Sequence, residues 1–569
     1  MRYLALASDY DGTLAHDGCV DEATIRELER LVHSGRKLIL VTGRELPDLQ
    51  SVFPRLDLCE RVVAENGALL YNPATKERRA LAQRPVDEFL EALRVRGVSD
   101  VSVGEVIVAT WRPHEAQVLE AIRELGLELQ IIFNKDAVMV LPSGVNKSSG
   151  LCAALDELGL SPHNVVGIGD AENDHAFLAS CECAIAVENA ISSLKAKAAL
   201  VTAEARGAGV REIITRLLKN DLADLDAVRA QNLIPIGSAD GHEISLPAYG
   251  RTVLVCGQSG GGKSSFVMGL LERMIEQKYQ ICLVDPEGDY ENLPGCRGLG
   301  SEKHAPPLAE VKQVLNESGI NLIVNLVGVA AADRPGCFVS LITTLQEARL
   351  RTGRPHWIII DEAHHVLPAE WAPASAELND EFINVVLVTV HPEHVSRQAL
   401  AKVNTAIVVG PRHLTLLGEF ARIIESVVPP CPDSDLEPGQ ALAWFIDEKR
   451  VYGPVQEKPS RTQHDRHKRK YAEGQLEEER VFHFRGPQRK MDLRAHNLNM
   501  FVRLAEGLDH DSWQFHLERG DYSKWLRHSL KDSQLADEVE RVEKDESLKD
   551  QESRSRIIGA IQQKYTAPA

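Results

Sequence analysis

Short apolar segments alternate with longer amphipathic segments through the first 218 residues, and again from Leu233 to Gly453. The short segments have the length of buried strands and the longer ones the periodicity of helices, which is the pattern of βαβ units in a parallel sheet. Tyr3–Ser8 is the first predicted strand. The candidate strands of the second region are Arg251–Cys256, Ile281–Val284, Trp357–Ile360, Val385–Thr389 and Ala406–Val409. The pattern therefore predicts two α/β regions in succession.

This alternation stops after the second region. The stretch from Gln456 to Glu479 has almost no apolar side chain and contains the basic run Arg466–Lys470, so we predict a linker there. From Val481 to Ala569 the chain carries scattered aromatic residues and helical spacing. We therefore predict an α/β multidomain protein with domains at 1–218, 219–454 and 481–569, the last small and helical, and a linker at 455–480.

Composition narrows the classes of protein that fit. A length of 569 residues agrees with three or four domains. A net charge of −19 makes the surface as a whole repel phosphate backbones and anionic membranes, although a local basic groove can still bind nucleic acid. The 10 cysteines are scattered without paired zinc-site spacing, as expected of reduced thiols. No apolar run reaches the roughly 18 to 20 residues that span a bilayer, so we expect a cytoplasmic protein without membrane contact.

Polar residues of the first region follow predicted strands or begin predicted helices. In chain order they are Asp9, Asp11, Thr42, Lys147, Asp170 and Asp174. Parallel sheets place their ligands at the carboxyl ends of their strands, so we expect these side chains in one crevice. Carboxylates gathered in a crevice raise one another's pKa unless a hard cation is present, and oxygen ligands suit Mg²⁺. The predicted Mg²⁺ ligands are Asp9, Asp11, Asp170 and Asp174.

This ordered set resembles the haloacid dehalogenase superfamily, and the run Glu65–Ala68 resembles its Cof-like subfamily, subclass IIB. The resemblance implies a Rossmann-like core with an α/β cap inserted at about residues 73–141. It implies that Asp9 attacks phosphorus and becomes an aspartyl phosphate, while Asp11 protonates the leaving oxygen and later activates water. Thr42 and Lys147 match the family positions that screen the charge of the phosphoryl group.

Two alternatives stay open for this site. The run Asp9–Thr13 also reads as a tight turn, because Asp and Gly are common turn formers, and the whole set could be a phosphate-binding relic. The substrate is open as well. The lining of the cap decides what fits, and a small phosphorylated compound such as a sugar phosphate, phosphoglycolate or a nucleotide agrees with this subfamily.

A second candidate site lies in the run Gly257–Ser264, which fits G-x-x-x-x-G-K-[ST] and follows an apolar strand. In such a P-loop the backbone N–H groups surround a polyphosphate, the lysine reaches the terminal phosphates and the serine holds Mg²⁺. We therefore predict an ATP site in a P-loop NTPase domain. Its predicted ATP-binding residues are Gly257, Ser259, Gly260, Gly261, Gly262, Lys263, Ser264 and Ser265.

The run Trp357–Glu362 is an apolar strand that ends in two acids. Asp361 would help Ser264 to hold Mg²⁺, and Glu362 would polarise the attacking water, the division expected of an ATPase. The alternative is a buried strand that ends in exposed acids.

The run Asp285–Tyr290 resembles a segment of the HerA and TraG-like ATPases. The resemblance implies a ring-forming motor of DNA or protein, a homo-oligomer that is a hexamer if HerA-like, and it leaves nucleic acid open as a partner. Those motors usually carry a glutamine at the end of the next strand, whereas this chain has the run Leu387–His391 there. We expect the adjacent His364 and His365 to point apart and to serve packing or capping.

Two functions therefore compete for the whole chain. The first is a Mg²⁺-dependent phosphomonoester hydrolase fused to an ATP-binding domain that regulates or powers it, with an ATP sensor as a variant. The second is a ring ATPase on nucleic acid, with the amino-terminal domain processing nucleotides or phosphate ends. Aromatics of the last domain, such as Trp513 and Trp525, are interpreted as its core rather than as a base-stacking surface.

Overall fold

The computed structural model describes residues 1–134, 136–225, 233–258, 261–290, 293–301, 303–370, 382–431, 435–460, 480–487, 491–530, 532–545 and 547–566. They form two compact units. The first holds the described residues up to 460 except Glu287–Tyr290, which are grouped with those from 480 onward. Most of the predicted linker lies outside the described residues. None of the helices in these ranges is long and apolar enough to cross a membrane.

The first unit opens with a large sheet, flanking helices and a small inserted sheet. Its strands are β1 (Ala5–Ser8), β2 (Lys37–Val41), β3 (Cys59–Ala64), β4 (Leu69–Asn72), β5 (Glu77–Ala80), β6 (Ser102–Val103), β7 (Val108–Trp111), β8 (Leu129–Asn134), β9 (Ala137–Pro142), β10 (Val165–Gly169), β11 (Cys183–Ala186) and β12 (Leu200–Val201). Its helices are α1 (Glu22–His33), α2 (Leu46–Val52), α3 (Asp87–Val95), α4 (Glu115–Glu124), α5 (Lys147–Leu158), α6 (His175–Ser180), α7 (Ser192–Lys195) and α8 (Arg206–Asn220).

The large sheet has the strand order β12-β11-β10-β1-β2-β3-β4-β5. Its pairings are parallel from β12 to β3 and antiparallel for β4 and β5. Ala5 of β1 is in register with Val165 of β10 and Lys37 of β2, so the carboxyl ends of these three strands are level. Their apolar residues are buried, as is typical of a parallel sheet covered on both faces.

The small sheet, β6-β7-β9-β8, is antiparallel and packs with α3 and α4 around a core of its own. It lies between β5 and α5 in the chain, in the position of the predicted cap. The range of about 73–141 also takes in β5, and Glu77–Ala80 pairs with β4 of the large sheet. The separate α/β layer therefore starts with α3, after that pairing ends.

The central part of the first unit is a second α/β domain. Its strands are β13 (Leu233–Ala239), β14 (His242–Pro247), β15 (Thr252–Gly257), β16 (Ile281–Asp285), β17 (Cys296–Leu299), β18 (Asn321–Asn325), β19 (Trp357–Ile360), β20 (Val385–Thr389), β21 (Thr405–Val409), β22 (Gln440–Phe445) and β23 (Arg450–Glu457). Its helices are α9 (Lys263–Glu276), α10 (Leu308–Asn316), α11 (Arg334–Thr352), α12 (Arg397–Leu400) and α13 (His413–Ile423).

These strands form one sheet in the order β14-β13-β23-β22-β21-β15-β20-β19-β16-β18-β17. The part from β21 to β17 is parallel, and the rest is antiparallel. The five strands predicted for this region are confirmed to within a residue at each end. The predicted α/β multidomain fold is confirmed as well.

The second unit is mostly helical. Its elements are β24 (Phe482–Phe484), β25 (Leu493–Ala495), α14 (Leu498–Gly507), α15 (His510–Glu518), α16 (Asp521–His528), α17 (Ser533–Glu543) and α18 (Asp550–Ile561). Trp513, Tyr522 and Trp525 are buried in its core, where Trp513 stacks on Tyr522. Arg485, Arg494 and Arg519 are exposed and Arg527 pairs with acids of α17, so the aromatic residues are core, as the sequence indicates.

A buried polar network joins the two domains of the first unit. Glu182 accepts from Arg2 and, at 2.7 Å, lies beside His163 Nδ1. His163 also contacts the carbonyl oxygen of Gln277 through Nε2 at 2.8 Å and stacks on Tyr279 with ring centroids 3.9 Å apart. Gln277 and Tyr279 follow α9 of the central domain, so this network fixes the amino-terminal domain against the end of that helix.

We expect Glu182→Gln to destabilise the protein by about 3 kcal/mol at neutral pH, because it removes the charged carboxylate that pairs with buried Arg2. Burial alone would raise the pKa of Glu182, but the hydrogen bond from His163 and the charge of Arg2 outweigh it and hold the pKa below its usual 4.5. The stabilisation is therefore present above pH 4.5 and lost as pH falls through the lowered pKa. Denaturant unfolding at pH 7 and at acidic pH measures both effects.

The matched control is Glu157→Gln, which removes a half-exposed carboxylate paired with Arg61 and Arg79 at the surface. It should cost under about 1 kcal/mol. Equal losses for the two variants at neutral pH would contradict the importance given to the buried network.

Candidate functional site

Three buried carboxylates meet at the carboxyl ends of β1 and β10. Asp9 follows β1 and its backbone N–H donates to the carbonyl of Ile168, while Asp170 and Asp174 follow β10. One oxygen of each carboxylate lies within 4.8 Å of the other two. The three residues are at most 4% exposed, so the cluster is shielded from bulk water.

Lys147 supplies the positive charge of this cluster. It is the first residue of α5, whose N-cap Asn146 accepts from two backbone N–H groups. Its Nζ donates to Asp9 Oδ1 at 2.5 Å and to Asp174 Oδ1 at 2.6 Å. The other oxygen of Asp174 accepts from the backbone N–H groups of Asp170 and Ala171, which fixes that carboxylate in place.

Among the described side chains of this cluster, the three carboxylates outnumber the single ammonium of Lys147. Burial, and then the charge of Asp174, raise the pKa of Asp9 well above its usual value, and Lys147 only partly opposes them. Burial lowers the pKa of Lys147, but Asp174 and Asp9 outweigh burial and raise it, so the ammonium stays charged. Three carboxylates against one ammonium form an all-oxygen site with excess negative charge, which fits a hard divalent cation such as Mg²⁺.

Asp11 pairs with Arg44, whereas Asp9 and Asp174 pair with Lys147. Its carboxylate accepts two hydrogen bonds from Arg44, at 2.6 Å from Nε and 2.8 Å from Nη2. Arg44 also donates to Asp48 and lies 5.5 Å from the centre of the Tyr10 ring. Asp11 is not part of the close carboxylate cluster, although it was predicted as a ligand beside Asp9. Arg44 had no predicted role, and its place two residues after Thr42 is the signal that points to it.

Two small residues of the Asp9 loop shape the site. Gly12 has φ +85°, and a Cβ added there would lie 2.4 Å from Asp170 Oδ2. Thr13 Oγ1 donates to Asp170 Oδ1 at 3.1 Å. The loop therefore holds Asp170 by contact and by hydrogen bond, and glycine is required because any side chain would displace the carboxylate.

Thr42 and Asn66 form the polar side of the pocket. Thr42 is buried, and its carbonyl accepts from the N–H of Asn66 at 2.9 Å. Asn66 has φ +54° and accepts through Oδ1 from Asn173, the neighbour of Asp174. Within the described part of the chain, Asn66 Nδ2 is buried without an acceptor, as expected of a donor kept for a bound group. The sequence pattern includes Asn66 only as part of the run Glu65–Ala68 and gives no sign of this buried donor.

Glu65 connects the core to the inserted layer. Its carboxylate accepts from the backbone N–H groups of Glu105, Val106 and Ile107, at 2.8 to 2.9 Å. A Cβ on Gly104 would lie 2.7 Å from this carboxylate, so the loop approaches as closely as glycine allows. Glu65 thus fixes one loop of the cap beside the catalytic crevice.

The P-loop lies at the start of α9. Gly262, with φ +106°, is the N-cap, and Lys263 Nζ donates to the carbonyl oxygens of Gly257 and Gln258 at 2.8 and 3.2 Å. Ser264 and Ser265 are exposed at the first turn, next to Gly261. The predicted ligands Ser259 and Gly260 lie outside the described residues. The start of α9 presents backbone N–H groups of the kind that bind phosphate groups.

The second acidic pair lies two strands away, because β20 separates β15 from β19. Asp361 is buried at the end of β19, and its N–H donates to the carbonyl of Val284. Glu362 has φ +38°, a left-handed conformation that is uncommon outside glycine and typical of functional sites. The P-loop and both acids therefore lie at the carboxyl edge of the same sheet.

Between them, the end of β20 carries Thr389 rather than the glutamine of the HerA-like motors. Thr389 Oγ1 lies 3.1 Å from His364 Nδ1, which is itself 3.6 Å from Glu362 Oε2. The expectation that His364 and His365 point apart is wrong, because their ring centroids are 4.3 Å apart. Left-handed Glu362 leads into a 3₁₀ turn at this point instead of an α-helix, and the turn keeps the rings together.

Two family models match this chain. The model described as haloacid dehalogenase-like hydrolase matches residues 6–104 and 106–214, and that of the central domain of helicase HerA matches residues 236–327. The phosphoglycolate phosphatase of Methanothermobacter thermautotrophicus is 30% identical over 222 residues, which are 38% of this chain and 98% of that protein. Phosphoglycolate phosphatase 2 of Saccharolobus solfataricus is 27% identical over 225 residues, 38% of this chain and 94% of its own.

A crystal structure of a haloacid dehalogenase-like hydrolase from Bacteroides thetaiotaomicron covers 38% of this chain and 99% of its own, with 19% identity and a TM-score of 0.33. The two resemblances predicted from motifs are confirmed by the family models.

We expect Gly12→Ala to weaken Mg²⁺ binding at the carboxylate cluster at least about tenfold, because the new Cβ displaces Asp170. Gly144→Ala is the matched control, since Gly144 has φ +83° and no atom lies within 4 Å of the position that a Cβ would take there. Both variants carry similar backbone strain of about 1 kcal/mol. The melting temperature of each variant, measured as Mg²⁺ is added, gives its Mg²⁺ affinity and distinguishes lost binding from backbone strain. Equal Mg²⁺ affinities of the two variants would contradict the contact between Gly12 and Asp170.

Proposed function

Since this chain belongs to the haloacid dehalogenase-like hydrolases, we propose that residues 1–218 are a Mg²⁺-dependent phosphomonoester hydrolase that acts through an aspartyl phosphate on Asp9. The observation that carries the proposal is the buried cluster of Asp9, Asp170 and Asp174 around Lys147. It combines a nucleophile, a fixed cation and excess negative charge in one place.

In the first step, an oxygen of Asp9 forms a bond to phosphorus as the bond to the ester oxygen breaks. Asp11 gives its proton to that leaving oxygen. In the second step, Asp11 takes a proton from water, whose oxygen attacks phosphorus, breaks the bond to Asp9 and releases phosphate. Arg44 fixes the orientation of Asp11 through two hydrogen bonds. Lys147 fixes Asp9 through one hydrogen bond to its Oδ1.

Asp9, Asp170 and Asp174 are the proposed Mg²⁺ ligands. When bound there, Mg²⁺ would offset the negative charge that exceeds the charge of Lys147, and it would screen the phosphoryl group from Asp9. We assign Asp11 to acid–base chemistry, because its carboxylate is held by Arg44. Thr42 and Asn66 are proposed to bind the oxygens of the phosphoryl group. The burial of both residues supports this proposal, as does Asn66 Nδ2, which has no acceptor among the described residues.

The proposed substrate is a small phosphorylated compound that the cap can cover. Relatives named phosphoglycolate phosphatase align over almost their whole length, so phosphoglycolate is the first compound to test. Sugar phosphates and nucleotides are the next two classes. We further propose a cytoplasmic location, in keeping with the scattered cysteines, among which the described residues form no disulfide.

We propose that the central domain, residues 219–454, binds and hydrolyses ATP and thereby regulates or powers the phosphatase. Lys263 and Ser264 would bind phosphate and Mg²⁺, Asp361 would complete the Mg²⁺ site, and Glu362 would polarise water. The match to the HerA central domain and the shared sheet edge support these assignments.

Two helices offer a route for coupling. The helix α5 begins at Lys147 and ends beside Gly159, whose carbonyl accepts from Arg354 of the central domain at 2.6 Å. The helix α9 begins at Lys263, and the carbonyl of Gln277 just past its end contacts His163 of the amino-terminal domain. Each phosphate-binding lysine therefore starts a helix whose other end lies at the contact between the domains.

The alternative is a HerA-like ring ATPase on nucleic acid, with the phosphatase as a processing domain. The family match over residues 236–327 favours it. Sedimentation and ATP hydrolysis with and without DNA distinguish the two functions. A hexamer whose ATP turnover rises with DNA supports the motor, and a DNA-insensitive monomer or dimer excludes it.

We expect Asp9→Asn to reduce hydrolysis of an aryl phosphate and of phosphoglycolate at least about a thousandfold, because the amide is no nucleophile. ATP turnover should stay within about twofold of wild type, since Asp9 lies in the other domain. Asp17→Asn is the control, because Asp17 lies further along the same loop region and its side chain is 92% exposed. Near-normal phosphatase activity of Asp9→Asn would refute the assigned nucleophile.

We expect ATP to change the kcat/KM of the phosphatase in the wild type, and we expect Lys263→Ala to abolish both ATP turnover and this response. His163→Phe should keep both activities but lose the response, because the ring still stacks on Tyr279 and no longer bonds to Glu182 and Gln277. His33→Phe, at an exposed site, is the control. A phosphatase indifferent to ATP in the wild type would exclude regulation by the central domain.

A further inference from the structure

Two histidines and a glutamate form a cluster just beyond β20, outside both sites described above. They are His391, Glu393 and His394. One ring nitrogen of each histidine and one oxygen of the glutamate lie within 4.8 Å of one another. His391 and Glu393 are about half exposed, so an ion from solvent can reach them. Among the described residues, such a grouping of three ligand atoms occurs here and at Asp9.

The backbone under the cluster is fixed at both ends. The N–H of His391 donates to Thr389 Oγ1 at 3.1 Å, and the N–H of His394 closes a 3₁₀ turn onto the carbonyl of His391. The carbonyl of His394 in turn accepts from the N–H of Ala369 at 2.8 Å. The three side chains therefore project from a short, tied segment, and only their own rotations are needed to bring the ligand atoms together.

The ring contacts agree with a shared centre. His391 Nδ1 lies 3.1 Å from Glu393 Oε1, and the centroids of His391 and His394 are 4.9 Å apart. Ligand atoms around one zinc ion lie roughly 3 to 4 Å apart, since each is about 2.0 to 2.2 Å from the metal. The ligand atoms of the cluster lie within 4.8 Å of one another, so small side-chain rotations would bring them to the distances found around a bound ion.

We propose that His391, Glu393 and His394 bind a divalent transition-metal ion of the class of Zn²⁺ or Co²⁺. Two imidazoles and one carboxylate are a donor set that prefers such ions, whereas the all-oxygen cluster at Asp9 suits Mg²⁺. Three protein ligands leave at least one coordination position for water or a further group.

The neighbours of the cluster link it to the central site. The His364 ring lies 6.5 Å from the His391 ring, and His364 Nδ1 is 3.6 Å from Glu362 Oε2. A cation bound at His391 would therefore place positive charge close to Glu362, the glutamate proposed to polarise water, with the His364 side chain between them. Binding of the ion rests on the three ligands alone and holds whether or not the central domain hydrolyses ATP.

The test uses the full chain without a polyhistidine tag, stripped with a chelator and kept in excess Mg²⁺ so that the Asp9 cluster is filled. Co²⁺ is then titrated and followed by its visible absorption, and Zn²⁺ is added to displace it. We expect one Co²⁺ with a defined absorption band per chain, and a loss of affinity of at least about tenfold in His391→Ala/His394→Ala. Glu393→Gln should weaken binding to a smaller extent.

The control is His242→Ala/His304→Ala, which removes two exposed histidines elsewhere in the same domain and should bind like wild type. Absence of a Co²⁺ band in the wild type, or wild-type affinity in His391→Ala/His394→Ala, overturns the proposal. Should that double variant fail to fold, His394→Asn alone at an exposed position gives the same comparison. Melting curves in Mg²⁺ confirm that each variant is folded.

Discussion

Lys147 brings one positive charge into a pocket that holds three buried carboxylates, and the geometry of the amino-terminal site follows from that imbalance. The ammonium bridges Asp9 and Asp174, which follow the adjacent strands β1 and β10, and so it fixes the carboxyl ends of these strands relative to α5. It cannot neutralise them all. A buried site with residual negative charge binds a cation and a phosphoryl group together better than it binds either alone, because each offsets the charge of the other.

The two α/β domains share one local arrangement, in which a lysine is the first residue of a helix at the phosphate site. In each one a lysine begins the helix that follows a glycine- or asparagine-capped turn, and in each the far end of that helix meets the other domain. These helices have 12 and 14 residues, so each is a rod of about 20 Å that leads from a phosphate site to the common contact. His163 makes this contact through the carbonyl of Gln277 and the ring of Tyr279, and Glu182, which also pairs with Arg2, holds His163 in place from its own domain.

Much of this arrangement could be predicted from the sequence. Parallel strands that are buried on both faces read as plain apolar runs, which is why the bounds of β19 and β20 were predicted residue for residue. Asp9, Lys147 and Lys263 were found because their motifs have fixed spacings. The bonds of Glu65 to Val106 could not be predicted, because they join residues some 40 positions apart through backbone atoms that carry no sequence signal.

The histidine pair was mispredicted for a local reason, since left-handed Glu362 leads into a 3₁₀ turn where an α-helix was assumed.

The three hydrogen bonds from backbone N–H groups to Glu65 limit how the cap can move. Each is a hydrogen bond to a charged group, so pulling the loop at 105–107 away from the core would cost about 5 kcal/mol in all. That loop is therefore an anchored edge rather than a moving one. We therefore expect this side of the inserted layer to stay in contact with the core while a substrate binds.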